Sequence, residues 1–114
     1  MVVFSFIKSK RVFKKVFEEG RFIKGKNISL KYINGGSDKI EFGMVVSQKK
    51  IPLAVNRNLI RRRIKFLIRQ KSFIDTKRIP IGFYLLIYSA RTVLPYEKIK
   101  DSVLLAFSSV YRDT

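Results

Sequence analysis

The stretch from Leu53 to Ser72 constrains the fold most, because its apolar and basic residues separate onto opposite sides of a helix. At about 100° per residue, the apolar side chains form one stripe that can be buried. The stripe consists of Leu53, Ile60, Ile64, Leu67 and Ile68. Polar side chains form a row on the other side, and Arg57 and Arg63 flank the stripe. We call the following five residues the basic row: Asn58, Arg61, Arg62, Lys65 and Arg69.

The basic row has no acidic partner within this helix, since no Asp or Glu lies between Glu41 and Asp75. Like charges four residues apart destabilise a helix. With 25 basic and 8 acidic residues, the chain carries a formal charge of +17, which indicates a polyanionic partner. The alternative is a solvated basic face that only keeps the protein soluble. We favour binding to phosphate, because a guanidinium group donates two parallel hydrogen bonds to phosphate oxygens.

Composition limits the classes of function. The 114 residues, 46% of them hydrophobic, predict one domain with its own core over residues 1–114. The chain has no Cys and no His, which excludes disulfides and removes the commonest general base. Its carboxylates are scattered, and we find neither a glycine-rich phosphate loop nor zinc spacing. We expect a protein that binds and positions its ligand, with no catalytic or metal site of its own.

The apolar segments also bear on location. No window approaches the roughly 20 apolar residues of a membrane span. The apolar opening, MVVFSFI, precedes its basic residues, which is the reverse of a secretion signal. We therefore predict a cytoplasmic protein without a membrane partner.

Residue patterns predict the remaining elements. Ser9 as N-cap and Gly20 as C′ residue bound a first helix, whose phenylalanines are either core or partly open for stacking on a nucleotide. Strands over Ile28 to Ile33 and Ile40 to Ser47 are expected to form a hairpin, with positive-φ residues in the loop between them. The apolar run from Ile81 to Ser89 predicts an internal strand. A last helix packs through Tyr96, Ile99, Val103, Phe107 and Val110.

Together these elements predict an α+β fold. It is a single α/β sandwich in which two or three strands follow the first helix, and with three strands the order is α-β-β-β-α-β-α. The basic helix connects two strands as a β-α-β crossover.

The run A-V-N-R-N-L-I-R-R-R-I-K, residues 54–65, resembles the "RNR" signature of the bacterial ribonuclease P protein subunit, A-V-x-R-N-R-x-K-R-x-x-R. Leu59 stands where the signature has its second Arg, and Arg63 stands where the family is commonly apolar. The two look exchanged across one helical turn. The segments F-K-K-V-F-E-E-G at 13–20 and G-M-V-V-S-Q-K-K at 43–50 are also similar to the family, so the resemblance covers essentially the whole chain.

The resemblance implies a protein subunit that assists an RNA subunit in removing the 5′ leader of precursor tRNA. Mg²⁺ would be required by the ribonucleoprotein and not by a protein-only site. The leader would lie in a cleft lined by Phe13, Phe17 and Lys31, and the β-α-β crossover would have the rare left-handed form. The RNA-binding residues, with Arg63 and Arg69 added from the helix pattern, are Arg57, Asn58, Arg61, Arg62, Arg63, Lys65 and Arg69.

Two other functions fit the composition. A small basic ribosomal protein would share the fold class and the charge, but it would co-sediment with ribosomal subunits. A DNA-binding protein could insert the basic helix in a major groove. No second helix precedes it at helix-turn-helix spacing, however, so we expect no DNA partner.

Overall fold

A computed structural model describes residues 4–70 and 73–113, with side chains up to Tyr111. Ser72, the predicted end of the basic helix, lies outside these residues. The described elements confirm the predicted order and add one short strand before the first helix. They are β1 (Phe4–Phe6), α1 (Lys10–Glu19), β2 (Arg21–Ile23), β3 (Ile28–Asn34), β4 (Ile40–Val46), α2 (Ala54–Arg69), a short 3-10 turn (Thr76–Arg78), β5 (Gly82–Tyr88) and α3 (Tyr96–Asp113).

The described strands form one mixed sheet in the order β1-β4-β5-β3-β2. β4 and β5 are parallel neighbours, and α2 connects them as the predicted β-α-β crossover. β3 runs antiparallel to β5, β2 runs antiparallel to β3, and β1 pairs in parallel with β4. The left-handed form of the crossover stays a prediction.

The predicted hairpin between β3 and β4 is wrong, because β5 lies between these two strands. Gly35 and Gly36 do have the expected positive φ values, 81° and 75°. The physical reason is that β5 is apolar on both faces, and the centre of the sheet buries both. Tyr84 and Leu86 on one face and Leu85 on the other are all 0% exposed. This burial outweighs the local preference of β3 and β4 for direct pairing.

α2 and α3 cover one face of the sheet and enclose the main core. The predicted stripe of α2 is buried from Ile60 onward. The prediction that Leu53 belongs to the buried stripe is wrong. Leu53 is 62% exposed, because α2 begins at Ala54 and Leu53 is the extended N-cap residue. None of the described helices has both the length and the apolar composition needed to cross a membrane. α3 packs as predicted through Ile99, Val103, Phe107 and Val110, with Tyr96 partly buried.

α1 packs on the opposite face of the sheet through Val16, which is fully buried. Ser9 is the N-cap as predicted, and its hydroxyl accepts a hydrogen bond from the Val12 amide at 3.3 Å. Gly20 ends the helix, but as an extended C-cap with φ −67° and not as a left-handed C′ residue. Glycine is required there for space, because a Cβ would overlap the carbonyl oxygen of Val16.

Candidate nucleic-acid interface

α2 presents the basic row to solvent, since the opposite side of the helix is fixed in the core. Asn58, Arg62 and Arg69 are exposed, and Arg61 and Lys65 are half-buried. Arg61 donates a hydrogen bond to the side-chain oxygen of Asn58 at 3.2 Å. Within the described parts of the chain, none of these five side chains forms an ion pair with a carboxylate. The row is therefore a surface of uncompensated positive charge suited to phosphate.

Arg57 and Arg63 have a different environment, because their guanidinium groups bond to the backbone of this chain. Arg57 Nη1 donates to the carbonyl oxygens of Ile51 at 2.9 Å and Pro52 at 2.8 Å. Arg63 Nη1 donates to the carbonyl oxygen of Leu94 at 2.9 Å. Each therefore connects α2 to a neighbouring loop. A guanidinium has five N–H donors, so donors are left for a phosphate, and the RNA-binding role of both residues stays a prediction.

One end of the basic row lies over an aromatic ring that the sequence analysis did not assign to the site. Lys65 Nζ and the guanidinium carbon of Arg69 each lie 5.2 Å from the centroid of Phe6. Such cation–π contacts are worth about 0.5–1 kcal/mol at exposed sites. Phe6 belongs to β1, so this edge strand orients two cations of the row. A strand of three residues has too short a pattern to be found by periodicity.

The predicted leader-binding residues lie on the other face of the sheet, beside α1. Lys31 Nζ donates to the carbonyl oxygen of Phe17 at 2.6 Å and lies 4.5 Å from the centroid of its ring. Phe17 is 42% exposed. Phe13 is half-buried over Gly43 of β4, where a Cβ would approach the Phe13 ring to 3.3 Å. Phe17 and Lys31 are thus in contact, whereas Phe13 lies one turn away and packs on the sheet.

We call the side of the sheet that carries Phe13, Phe17 and Lys31 the α1 face. Further side chains extend it. Phe22 of β2 is 53% exposed and pairs directly opposite Lys31, so it lies on the same side of the sheet. Sequence patterns could not associate Phe22 with α1, because that depends on strand register. A hollow of about 260 Å³ also opens at the start of α1 and adds positive charge next to Phe13. It is lined by Ile7, Lys8, Ser9, Lys10, Phe13 and Lys14.

The acidic side chains do not converge. The described residues include no group of three or more His, Cys, Asp or Glu that could hold a metal ion. Magnesium prefers an octahedron of oxygen ligands, usually with one or two carboxylates. The described side chains therefore do not offer the ligand set that Mg²⁺ prefers.

Comparisons with known proteins agree with the resemblance seen in the motifs. The family model for ribonuclease P matches residues 3–109. The ribonuclease P protein component of Syntrophomonas wolfei subsp. wolfei (strain DSM 2245B / Goettingen) is 33% identical over 64 residues, which are 56% of this chain and 53% of that protein. The match thus spans about half the length of this curated relative.

Solved structures show the same fold. The RNase P protein of Staphylococcus aureus superposes with a TM-score of 0.74 at 21% identity, covering 96% of this chain and 98% of that chain. The RNase P protein from Thermotoga maritima gives a TM-score of 0.71 at 19% identity, with 94% and 96% covered. At these identities, the likeness concerns the arrangement of helices and strands alone.

Proposed function

The chain belongs to the ribonuclease P protein family, and on this premise we propose that it is the protein subunit of a ribonucleoprotein that removes the 5′ leader of precursor tRNA. It binds the RNA subunit through α2 and the leader through the α1 face, in the cytoplasm. The observation that carries this proposal is the basic row, a line of five polar side chains without an acidic partner among the described residues.

RNA binding by the basic row follows from charge and spacing. The row is held on one rigid helix, so its cations reach successive phosphates without ordering a flexible segment. Neutralising phosphates releases the counterions condensed on RNA, which makes binding favourable and dependent on salt. The contacts of Lys65 and Arg69 with Phe6 limit the freedom of these two side chains before RNA arrives. This preorganisation reduces the entropy lost on binding.

The α1 face suits a single strand. Single-stranded nucleic acid binds where bases can stack on aromatic rings beside a positively charged groove. Phe17 and Phe22 are exposed aromatics, and Lys31 lies directly over the ring of Phe17. Lys8, Lys10 and Lys14 line the hollow farther along α1 and supply charge for the leader backbone. A leader strand in this position would be held by stacking and by phosphate contacts at the same time.

We assign the Mg²⁺ requirement to the RNA of the ribonucleoprotein. Among the residues that the structure describes, the side chains offer no fitting set of ligands, and we assign the bond-breaking step to the RNA subunit. When bound to the ribonucleoprotein, Mg²⁺ supplies charge stabilisation and an activated water for phosphodiester hydrolysis. The protein contributes by holding the substrate and by neutralising nearby phosphates. Because phosphate repulsion is then reduced, the complex needs less Mg²⁺ to assemble.

Leader cleavage at low Mg²⁺ tests the proposal. The purified chain is added to ribonuclease P RNA and precursor tRNA at a Mg²⁺ concentration at which the RNA alone is nearly inactive. We expect the protein to restore cleavage at the 5′ end of the mature tRNA. The variant Arg61→Gln, Arg62→Gln, Lys65→Gln should restore much less than Lys24→Gln, Lys26→Gln, Lys98→Gln, which removes the same charge from exposed positions outside α2. Absence of any stimulation by the wild-type protein would reject the function.

A further inference from the structure

A groove of about 380 Å³ lies between α2 and the first turn of α3, beside the basic row. Phe66 is 55% exposed there and contacts Tyr96 edge-on, with ring centroids 6.1 Å apart and an interplanar angle of 61°. Phe66 lies outside the buried core, to which its neighbours Ile64 and Leu67 belong, whereas Tyr96 packs partly against that core. The groove is lined by Leu59, Arg62, Arg63, Phe66 and Tyr96, none of which is acidic.

The groove is preformed by contacts on both of its sides. Arg63 donates to the carbonyl oxygen of Leu94, and the Leu94 amide donates to the hydroxyl of Tyr88 at 3.0 Å. The same hydroxyl donates to the carbonyl oxygen of Thr92 at 2.6 Å. Burial raises the pKa of Tyr88, against smaller lowering effects of Leu94 and Arg63, so this hydroxyl stays protonated at neutral pH. The loop that leads into Tyr96, the first residue of α3, is therefore fixed against α2.

The apolar character of the groove comes from Leu59, which stands where the family signature has Arg. Leu59 and Arg63, one helical turn apart, both line it. With Arg at 59, this surface would continue the positive charge of α2. With Leu at 59, it becomes an apolar and aromatic recess bordered by the guanidinium groups of Arg62 and Arg63. The recess therefore combines apolar, aromatic and cationic side chains on one surface.

We infer that this groove receives an unpaired nucleobase of the same RNA subunit whose phosphates the basic row binds, an inference that rests on the proposed function. Unstacked bases are recognised by stacking on aromatic rings and on guanidinium planes, and Phe66, Tyr96, Arg62 and Arg63 provide both. Arg62 belongs to the row and to the groove, so a base can enter while its own phosphate contacts the row. The volume lies within the range of about 300–1,000 Å³ that is typical of small-ligand clefts.

Other occupants fit the charges less well. A second copy of the chain would bring another +17 to the contact, which like-charge repulsion opposes. An apolar protein segment would leave Arg62 without a counterion in a desolvated contact. A nucleotide brings a flat ring and a phosphate together, so it matches both parts of the surface.

The test compares variants of Phe66 in equilibrium binding to the RNA subunit alone. Phe66→Leu keeps an apolar side chain but removes the ring, and we expect its affinity to fall about 5- to 160-fold, the range of one base stacked on an aromatic ring. Phe66→Tyr keeps the ring and should bind like the wild type. Leu105→Ser, at an exposed apolar position of α3 outside the groove, should also bind normally. The salt dependence of Phe66→Leu should equal that of the wild type, because the substitution removes no cation.

Several outcomes would overturn the inference. The inference is wrong if Phe66→Leu binds the RNA subunit as tightly as the wild type does. It is also wrong if Leu105→Ser loses as much affinity as Phe66→Leu. If Phe66→Leu loses affinity for precursor tRNA but not for the RNA subunit, the groove binds precursor tRNA and the inference is wrong. Sedimentation that reveals self-association of the wild type, abolished by Phe66→Leu, would identify a second copy as the occupant. If the wild type fails to bind the RNA subunit at all, the proposed function falls as well, and this separates the two failures.

Discussion

Phe13 and Phe17 are equivalent in the sequence pattern of α1 but differ in their surroundings. Phe13 packs over Gly43 and is half-buried, whereas Phe17 is 42% exposed with Lys31 Nζ 4.5 Å from its ring centroid. We therefore propose Phe17, and not Phe13, as the ring of α1 on which a base of the leader stacks. The ammonium group of Lys31 is held there by its bond to the Phe17 carbonyl oxygen, where it also attracts a phosphate.

We expect Phe17→Leu to weaken binding of leader-bearing precursor tRNA to the reconstituted ribonucleoprotein by about 1–3 kcal/mol, the value of one stacked base. Binding of mature tRNA, which has no leader, should be unchanged. The measurement is the ratio of the two dissociation constants for each protein variant.

Phe13→Leu serves as the matched control for this substitution. Its ring contacts the sheet, so we expect it to lower the free energy of unfolding more than Phe17→Leu does, and to change the ratio of the two dissociation constants less. If Phe17→Leu weakens precursor and mature tRNA equally, the ring has only a structural role.

At the scale of one element, the two sides of α2 have different roles. Its buried stripe joins the core, and its basic row faces solvent. Arg57 and Arg63 lie at the borders and bond to loop carbonyl oxygens, which fixes the helix against the chain before and after it. The row is thereby held in one orientation relative to the sheet.

Salt titration of RNA binding measures how many phosphates α2 neutralises. The variant Arg61→Gln, Arg62→Gln, Lys65→Gln should reduce the slope of log K against log salt by about 0.7–0.9 for each phosphate that is no longer neutralised. The expected change is therefore about 2–3 units for three phosphates.

The variant Lys24→Gln, Lys26→Gln, Lys98→Gln controls for net charge, because these three exposed lysines lie outside α2. Its slope should change much less than that of the α2 variant. Equal slopes for both triple variants would mean that the protein attracts RNA only through its overall field and that the row has no special position.

At the scale of the whole molecule, a charge of +17 on 114 residues destabilises the folded state through self-repulsion. Only the folded chain aligns the basic row on one surface, so an anion that binds the row binds the native state in preference to the unfolded one. Folding is then linked to anion concentration.

We expect sulfate or pyrophosphate to raise the midpoint of thermal unfolding more than chloride does at equal ionic strength. Equal ionic strength removes the contribution of simple screening. Calorimetry or circular dichroism over a series of anion concentrations gives the measurement.

Sulfate also stabilises proteins by exclusion from their surface, so the series must be repeated with Arg61→Gln, Arg62→Gln, Lys65→Gln. For this variant, the midpoint of thermal unfolding should rise only by the amount that comes from exclusion of sulfate from the surface. Equal gains for the wild type and the variant would show that the row is not an anion site linked to folding.

The sequence by itself determined the three helices, the three long strands and one surface of the site. The buried stripe of α2 and its basic row follow from local spacing at 3.6 residues per turn. The alternation of β3 and β4 and the N-cap at Ser9 are likewise short-range patterns. The family signature is equally local, since it lies within a single helix. For these features, the residues that decide the outcome are neighbours in the chain.

Tertiary structure alone decided how the elements meet. β5 separates β3 from β4 because a strand that is apolar on both faces is stabilised most at the centre of the sheet, a comparison that no single segment contains. Phe6 under Lys65 and Tyr96 against Phe66 are contacts between distant parts of the chain, and the position of Phe22 opposite Lys31 depends on the register of two strands. Periodicity shows which side of an element is apolar, but the partner on that side depends on burial summed over the whole fold.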